Sequence, residues 1–263
     1  MIGPDSITPW FFESTGHVEA VNRLLYLVEQ RESSGLLTGP QGSGKTRVLQ
    51  KLAAELQSSG LQAVSLNLAG ATEESALFQL AERMSEQARP AMSRHELMSS
   101  LRAEFQGRSQ CGLTTQILLD DVHLADFSKE TFLRFLISIA RMTRGVTVIA
   151  AGTDSLPEIL SQTVSFPVSL ERLDAVEASD FLRQLLPRLG CSYSVCEEAG
   201  VRAAVEMCRG RMQTLCRLAE VMAVFHRAWP TALITTATVR QLAREINLAP
   251  QEDLLNRRVL KLA

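Results

Sequence analysis

Residues 39–46 read Gly39-Pro40-Gln41-Gly42-Ser43-Gly44-Lys45-Thr46 and fit the spacing G-x-x-x-x-G-K-[ST]. Those residue types in that order form a cradle for the phosphates of a nucleoside triphosphate. The glycines let successive backbone N–H groups turn inward on phosphate oxygens. A helix starting near Lys45 adds its positive end to the same anion. Lys45 is placed to reach the β- and γ-phosphates, and the Thr46 hydroxyl to ligate Mg²⁺. The expected nucleotide-binding stretch runs from Gly39 through Arg47.

A phosphate loop needs a carboxylate to hold its metal and a base for the attacking water. Gln116-Ile117-Leu118-Leu119-Asp120-Asp121 is an apolar run ending in two acids. Such a strand delivers its carboxylates to the edge of a sheet where the loop lies. Asp120 is the expected Mg²⁺ partner, acting through a bound water, and Asp121 the expected general base. Gly152-Thr153 ends a later apolar run, and Thr153 could sense the γ-phosphate or the water.

The elements that must position these groups follow from periodicity. Gly35–Thr38 reads as a buried strand before the loop. Val48, Leu49, Leu52, Ala53 and Leu56 recur at helical spacing after it. A helix is expected from His17 to about Gln30, and a strand over Gln62–Leu68. Two helices fill 73–106, separated near Pro90. A helix follows over Phe127–Arg144, a strand over 146–152, and a short one over Phe166–Leu170. From there the chain reads as helical to about Leu248, with no further strand. Strands alternating with helices predict an α/β fold, a parallel sheet covered on both faces and followed by a helical bundle.

Composition narrows the class. With 263 residues, 46% hydrophobic and 21% charged, the chain suits a core domain with a smaller partner and is not globally disordered. A net charge of −2 gives no overall basic signature of a nucleic-acid partner. Five cysteines without a Cys-x-x-Cys pair argue for reduced thiols rather than a disulfide framework or zinc site. No apolar stretch approaches the length of a membrane span, and the N-terminus lacks a signal-peptide pattern. A cytoplasmic protein is the expectation. The histidines His17, His95, His123 and His226 are scattered unlike a metal set. Trp10-Phe11-Phe12 reads as a hydrophobic staple ahead of the first helix. Arg134, Arg141 and Arg144 share a spacing that reads as a solvated helix face.

With these residues placed, the chain resembles AAA+ ATPases, and among them the general secretion pathway protein A family and the related transposition helper ATPases. The resemblance rests on Phe11-Phe12-x-Ser14-x-x-His17-x-Glu19-Ala20, Leu24-Leu25-Tyr26, the phosphate loop, the aspartates and the exit of the fourth strand. In the tail it rests on Leu215-Cys216-Arg217-Leu218-Ala219 and Ile234-Thr235-x-x-x-Val239-x-x-Leu242-x-x-Glu245-Ile246. It implies a nucleotide-binding core over 1–172 and a helical lid over 173–263. It also implies Mg²⁺-dependent ATP hydrolysis and an ATP-dependent homo-oligomer.

Three departures bear on rate. The family pattern of Asp-Glu is Asp120-Asp121 here, one methylene shorter at the base. No arginine occurs in 154–170, where such ATPases place a trans-acting one, and Arg144 and Arg172 flank the region. The lid pattern Gly-x-x-Arg is Gly210-Arg211-Met212-Gln213, with Gln213 in the place of the arginine and Arg211 nearby. Slow or partner-stimulated turnover is therefore expected. Two function classes remain open at this point. One is an ATPase driving conformational change in a secretion-type assembly, with a protein partner. The other is an ATP-dependent, DNA-binding oligomeric switch of the transposition helper type. Secretion versions often continue into a membrane span and a peptidoglycan-binding domain, and the sequence to Ala263 carries neither, which lowers the expectation of a direct envelope role.

Overall fold

A computed structural model of the chain describes residues 10–85, 89, 91–153 and 166–248. Contacts divide the chain into one unit of Met1–Pro40 with Gly44–Leu170, and a second of Gln41–Ser43 with Glu171–Ala263.

The first unit opens with α1 (Thr15–Glu29), which starts two residues earlier than its periodicity suggests. Ser14 is the reason: its hydroxyl accepts the His17 N–H at 3.3 Å and bonds the His17 ring at 2.6 Å, capping the helix. Phe11 packs against the core beside this cap, but the residue that directly precedes the cap is Glu13, so no hydrophobic staple forms there. Then come β1 (Ser34–Thr38), α2 (Lys45–Ser58), β2 (Gln62–Asn67), α3 (Glu73–Met84) and α4 (Arg94–Gln110). The unit continues with β3 (Thr115–Asp120), α5 (Lys129–Met142), β4 (Val146–Ala151) and β5 (Phe166–Ser169). Ser93 and Glu96 form a reciprocal capping box that fixes the start of α4.

The five strands form one parallel sheet in the order β2-β3-β4-β1-β5. Alternation along each strand feeds two cores. Leu37, Leu118, Ile149 and Ala151 point to the face covered by α1 and α2. Leu36, Ile117, Leu119 and Val148 point to the face covered by α3, α4 and α5. The result is three layers, with every residue of β3 and β4 buried. Chain connections leave β1 in one direction and return on its other side, so a crevice opens at the C-terminal ends of the strands.

One expected helix is shorter than read. α5 stops at Met142, because the chain then turns through Thr143 and Gly145 into β4. Arg144 therefore lies in the turn and not on the helical face with Arg134 and Arg141. Arg134 pairs with Glu130 one turn away, as a solvated face allows.

The second unit contains α6 (Ala175–Arg188), α7 (Glu198–Cys208), α8 (Met212–Ala228) and α9 (Thr236–Glu245). The reading of pure helix after the sheet needs one correction: Cys196 and Ile234 form an isolated parallel bridge. The Ile234 N–H donates to Val195 O at 2.8 Å, and the Glu197 N–H donates to Ile234 O at 3.1 Å. Single residues pair there because two loops meet side by side, which periodicity does not register. Gly210, at φ +68°, lies so close to Leu173 O that a Cβ would sit 2.0 Å from it. Arg211 directly precedes α8 without a side-chain capping bond, and Gln213 lies in the helix's first turn. All five cysteines are free thiols.

Candidate functional site

The phosphate loop leaves the C-terminal end of β1 and enters α2 at Lys45. Gly42 and Gly44 take φ of +79° and +103°, a region that side-chain-bearing residues rarely adopt. Gly44 is the residue that precedes the helix, so the loop's twist and the helix start coincide. Lys45 is 6% exposed, and its ammonium donates to Gly39 O at 2.8 Å and Pro40 O at 3.0 Å. The cation is thus tethered on the loop itself. Ser43 is buried, and Gln41 and Thr46 are exposed. Arg47 turns along the helix surface to Gln50 Oε1 at 3.1 Å.

The acids arrive from β3. Asp120 is its last residue and is 8% exposed. Its Oδ1 accepts the Asp121 N–H at 2.9 Å, and the Thr46 hydroxyl lies near enough to favour its charge. Burial, joined by the neighbouring Asp121 charge, pushes the Asp120 pKa up against the pull of Thr46 and Lys45. Lys45, Thr46, Asp120 and Asp121 are therefore brought together at one edge of the sheet, across 75 residues of sequence.

Asp121 leaves the strand at φ +50°. This left-handed turn sends its carboxylate away from the line of β3 and toward β2. There Asn67 Nδ2 donates to Asp121 Oδ2 at 3.2 Å. Asn67 is itself fixed, because its Oδ1 accepts the Ala69 N–H at 2.8 Å. Asn67 and Asp120 are register partners across β2 and β3. The sequence reading missed Asn67. Its signal was available only as a polar residue closing a strand that pairs with the acidic one.

Thr153 lies just beyond β4. The preceding Gly152 N–H donates to Leu37 O at 3.0 Å, which ties this exit to the strand that launches the phosphate loop. Arg144 and Arg172 have exposed side chains.

The residues fit a magnesium-bound nucleotide in kind. The hydroxyl of Thr46 and the carboxylate of Asp120 are hard oxygen donors that lie beside each other. Mg²⁺ is held by few such protein oxygens together with substrate phosphates. A cation there would also relieve the burial that disfavours the Asp120 charge.

A family model described as an AAA domain matches residues 28–160, just over half of the 263. The chain belongs to the AAA domain family. Its fold is shared with Cdc6p from Pyrobaculum aerophilum at a TM-score of 0.74 and 16% identity, over 97% of this chain and 72% of that one. Drosophila ORC bound to DNA gives 0.74 at 12% identity, over 95% of this chain and 65% of that one. The Thermotoga maritima RuvB Holliday junction branch migration motor gives 0.58 at 17% identity, over 90% and 70%. No curated protein matches the sequence. This AAA protein thus has the α/β P-loop architecture expected of it. Among the described residues, no helix is long and apolar enough to cross a membrane.

Proposed function

We propose that this AAA protein binds ATP with Mg²⁺ and hydrolyses it slowly, coupling turnover to conformational change in a larger assembly. The convergence of Lys45, Thr46, Asp120 and Asp121 at the C-terminal edge of the sheet carries the reading. In it, the amides of Gly39–Thr46 and the Lys45 ammonium bind the phosphates, with Arg47 at the start of the helix. Thr46 and Asp120 would hold Mg²⁺, which would supply charge neutralisation to the phosphoryl oxygens. Asp121 accepts a proton from the water whose oxygen bonds to the γ-phosphorus. The bond to the β–γ bridging oxygen breaks, releasing ADP and phosphate. Asn67 orients Asp121, and Thr153 faces the γ-phosphate side.

The helical unit serves as a lid whose Gln213 offers no cation to the γ-phosphate, with Arg211 one position outside the helix start. Arg144 and Arg172, both exposed, are the candidates to supply that cation to a neighbouring copy, so assembly with ATP completes the site. The assembly is of the secretion type, with a protein partner, and the protein works in the cytoplasm. A DNA-dependent switch of the transposition helper type is the second reading. A fold shared with a protein solved on DNA favours it.

The test is Mg²⁺-dependent ATP turnover followed across protein concentration, with light scattering in parallel. Specific activity rising as ATP-bound oligomers form supports the proposal. A monomer with concentration-independent activity overturns self-assembly, and no ATP turnover under any condition overturns the hydrolase. Stimulation by DNA alone selects the second reading.

A further inference from the structure

At the opposite, N-terminal edge of the sheet lies a partly enclosed cavity of about 300 Å³. Its walls are apolar: Leu25 and Val28 from α1, Leu56 from α2, and Leu61 just beyond it. Its floor is polar, formed by Gln116 of β3 and Thr147 of β4, which are register partners and share a sheet face. Thr147 Oγ1 is committed, donating to Glu32 O at 2.9 Å. Gln116 is not. It is 2% exposed, and its Oε1 has no hydrogen-bond partner among the described residues.

Parity along β3 fixes where that oxygen faces. Gln116 lies two residues before Leu118, which packs under α1 and α2. The side chain therefore projects into the space those helices leave open. Ser34 and Gln62 also carry unpartnered buried oxygens at this edge, but their parity is that of Leu36 and Val64, on the other face. Among the described residues, only Gln116 brings an unpartnered buried oxygen to this cavity. A buried amide oxygen without a donor is costly, and native proteins rarely leave one so.

We propose that this cavity is a small-molecule site distinct from the phosphate loop, taking a compact neutral ligand with an apolar body of one or two rings and one N–H or O–H donor. The donor bonds Gln116 Oε1 and the rings lie against Leu25, Val28, Leu56 and Leu61. Volume sets the size, at the lower end of the range for ligand pockets. Neutrality follows from the mouth, where Glu29 and Arg31 bring opposite charges.

The test uses indole and its sulfur isostere benzothiophene, which lacks the donor, on the full chain. Binding is followed by calorimetry with a non-hydrolysable ATP analogue present at saturation, so that the nucleotide site is filled. Indole should bind at one saturable site and about tenfold more tightly than benzothiophene. Gln116→Leu should erase that preference while both probes still bind. Ser59→Trp, at an exposed position on the rim, should block both probes without disturbing the core. It decides the location even should the Gln116 variant not fold. No saturable binding, equal affinity for the two probes in the parent protein, or unchanged binding to Ser59→Trp would each overturn the proposal. The first result would leave water as the partner of Gln116.

Discussion

The two ends of β3 solve the same problem in different ways. Each buries a polar side chain at the end of an apolar strand: Asp120 at one end and Gln116 at the other, four residues or about 13 Å apart. Asp120 is surrounded by groups from its own protein, namely Thr46, the Asp121 N–H and Lys45, and is still held above the usual aspartate range. Gln116 is neutral and its oxygen has been given no partner. A bare charge in the interior costs far more than an unpaired amide, although the amide's cost still calls for a donor. The C-terminal edge is accordingly a preformed electrostatic site, and the N-terminal edge a shaped but uncommitted one.

The comparison is most sharply tested at the charged end. Asp121→Asn should retain ATP binding and lose turnover by about 10²- to 10⁴-fold, since it removes the base and leaves the loop intact. Turnover at the parent rate in a steady-state phosphate-release assay would show that the base lies elsewhere. Lys45→Ala should weaken ATP binding by roughly tenfold or more, the loss of a charge-assisted contact of about 1.5–3 kcal/mol. Equal calorimetric affinities of the two proteins would remove Lys45 from the site.

Asn67→Ala tests whether the geometry around Asp121 matters apart from its charge. The turnover number should fall by about two- to tenfold, the worth of one hydrogen bond, with ATP affinity unchanged. A fall in affinity of the same size would instead mean that Asn67 props up the loop.

The smallest effects are on stability. Because the folded protein raises the Asp120 pKa above the ordinary 3.8, it binds that proton more tightly than the unfolded chain does. The fold is then favoured by a protonated Asp120 below about pH 3.8. That advantage is lost as pH rises through the higher folded value. Without Mg²⁺ or nucleotide, Asp120→Asn should therefore melt at a higher temperature than the parent at pH 7, the difference shrinking toward pH 4. It should also weaken the Mg²⁺ dependence of nucleotide binding. A lower melting temperature at pH 7 would mean that the contacts to Thr46 and Lys45 outweigh the burial of the charge.

Much of the proposed nucleotide site was legible because it is written in local sequence. Gly39–Thr46 must be contiguous to wrap one phosphate group, and an acid at the end of an apolar run needs only strand periodicity to be seen. Asn67 was not legible, because its role depends on β2 lying beside β3 in one particular register. The bridge between Cys196 and Ile234 was hidden for the same reason, since single residues leave no periodic trace. The end of α5 at Met142 was misread because its apolar spacing runs on smoothly into β4, and only the turn at Gly145 separates them.

By itself, then, the sequence determined the loop, its helix, the acidic strand and the alternation that makes the sheet parallel and covered on both sides. Each of these depends on residues close together in the chain, where spacing and side-chain type suffice. The tertiary structure alone decided which polar groups meet. It set Asn67 against Asp121, drew Asp120 to Thr46, and left Gln116 facing a cavity between two helix ends. Such meetings depend on strand order and on what neighbouring elements fail to fill. Neither is encoded in any local pattern, because both arise from how distant segments pack.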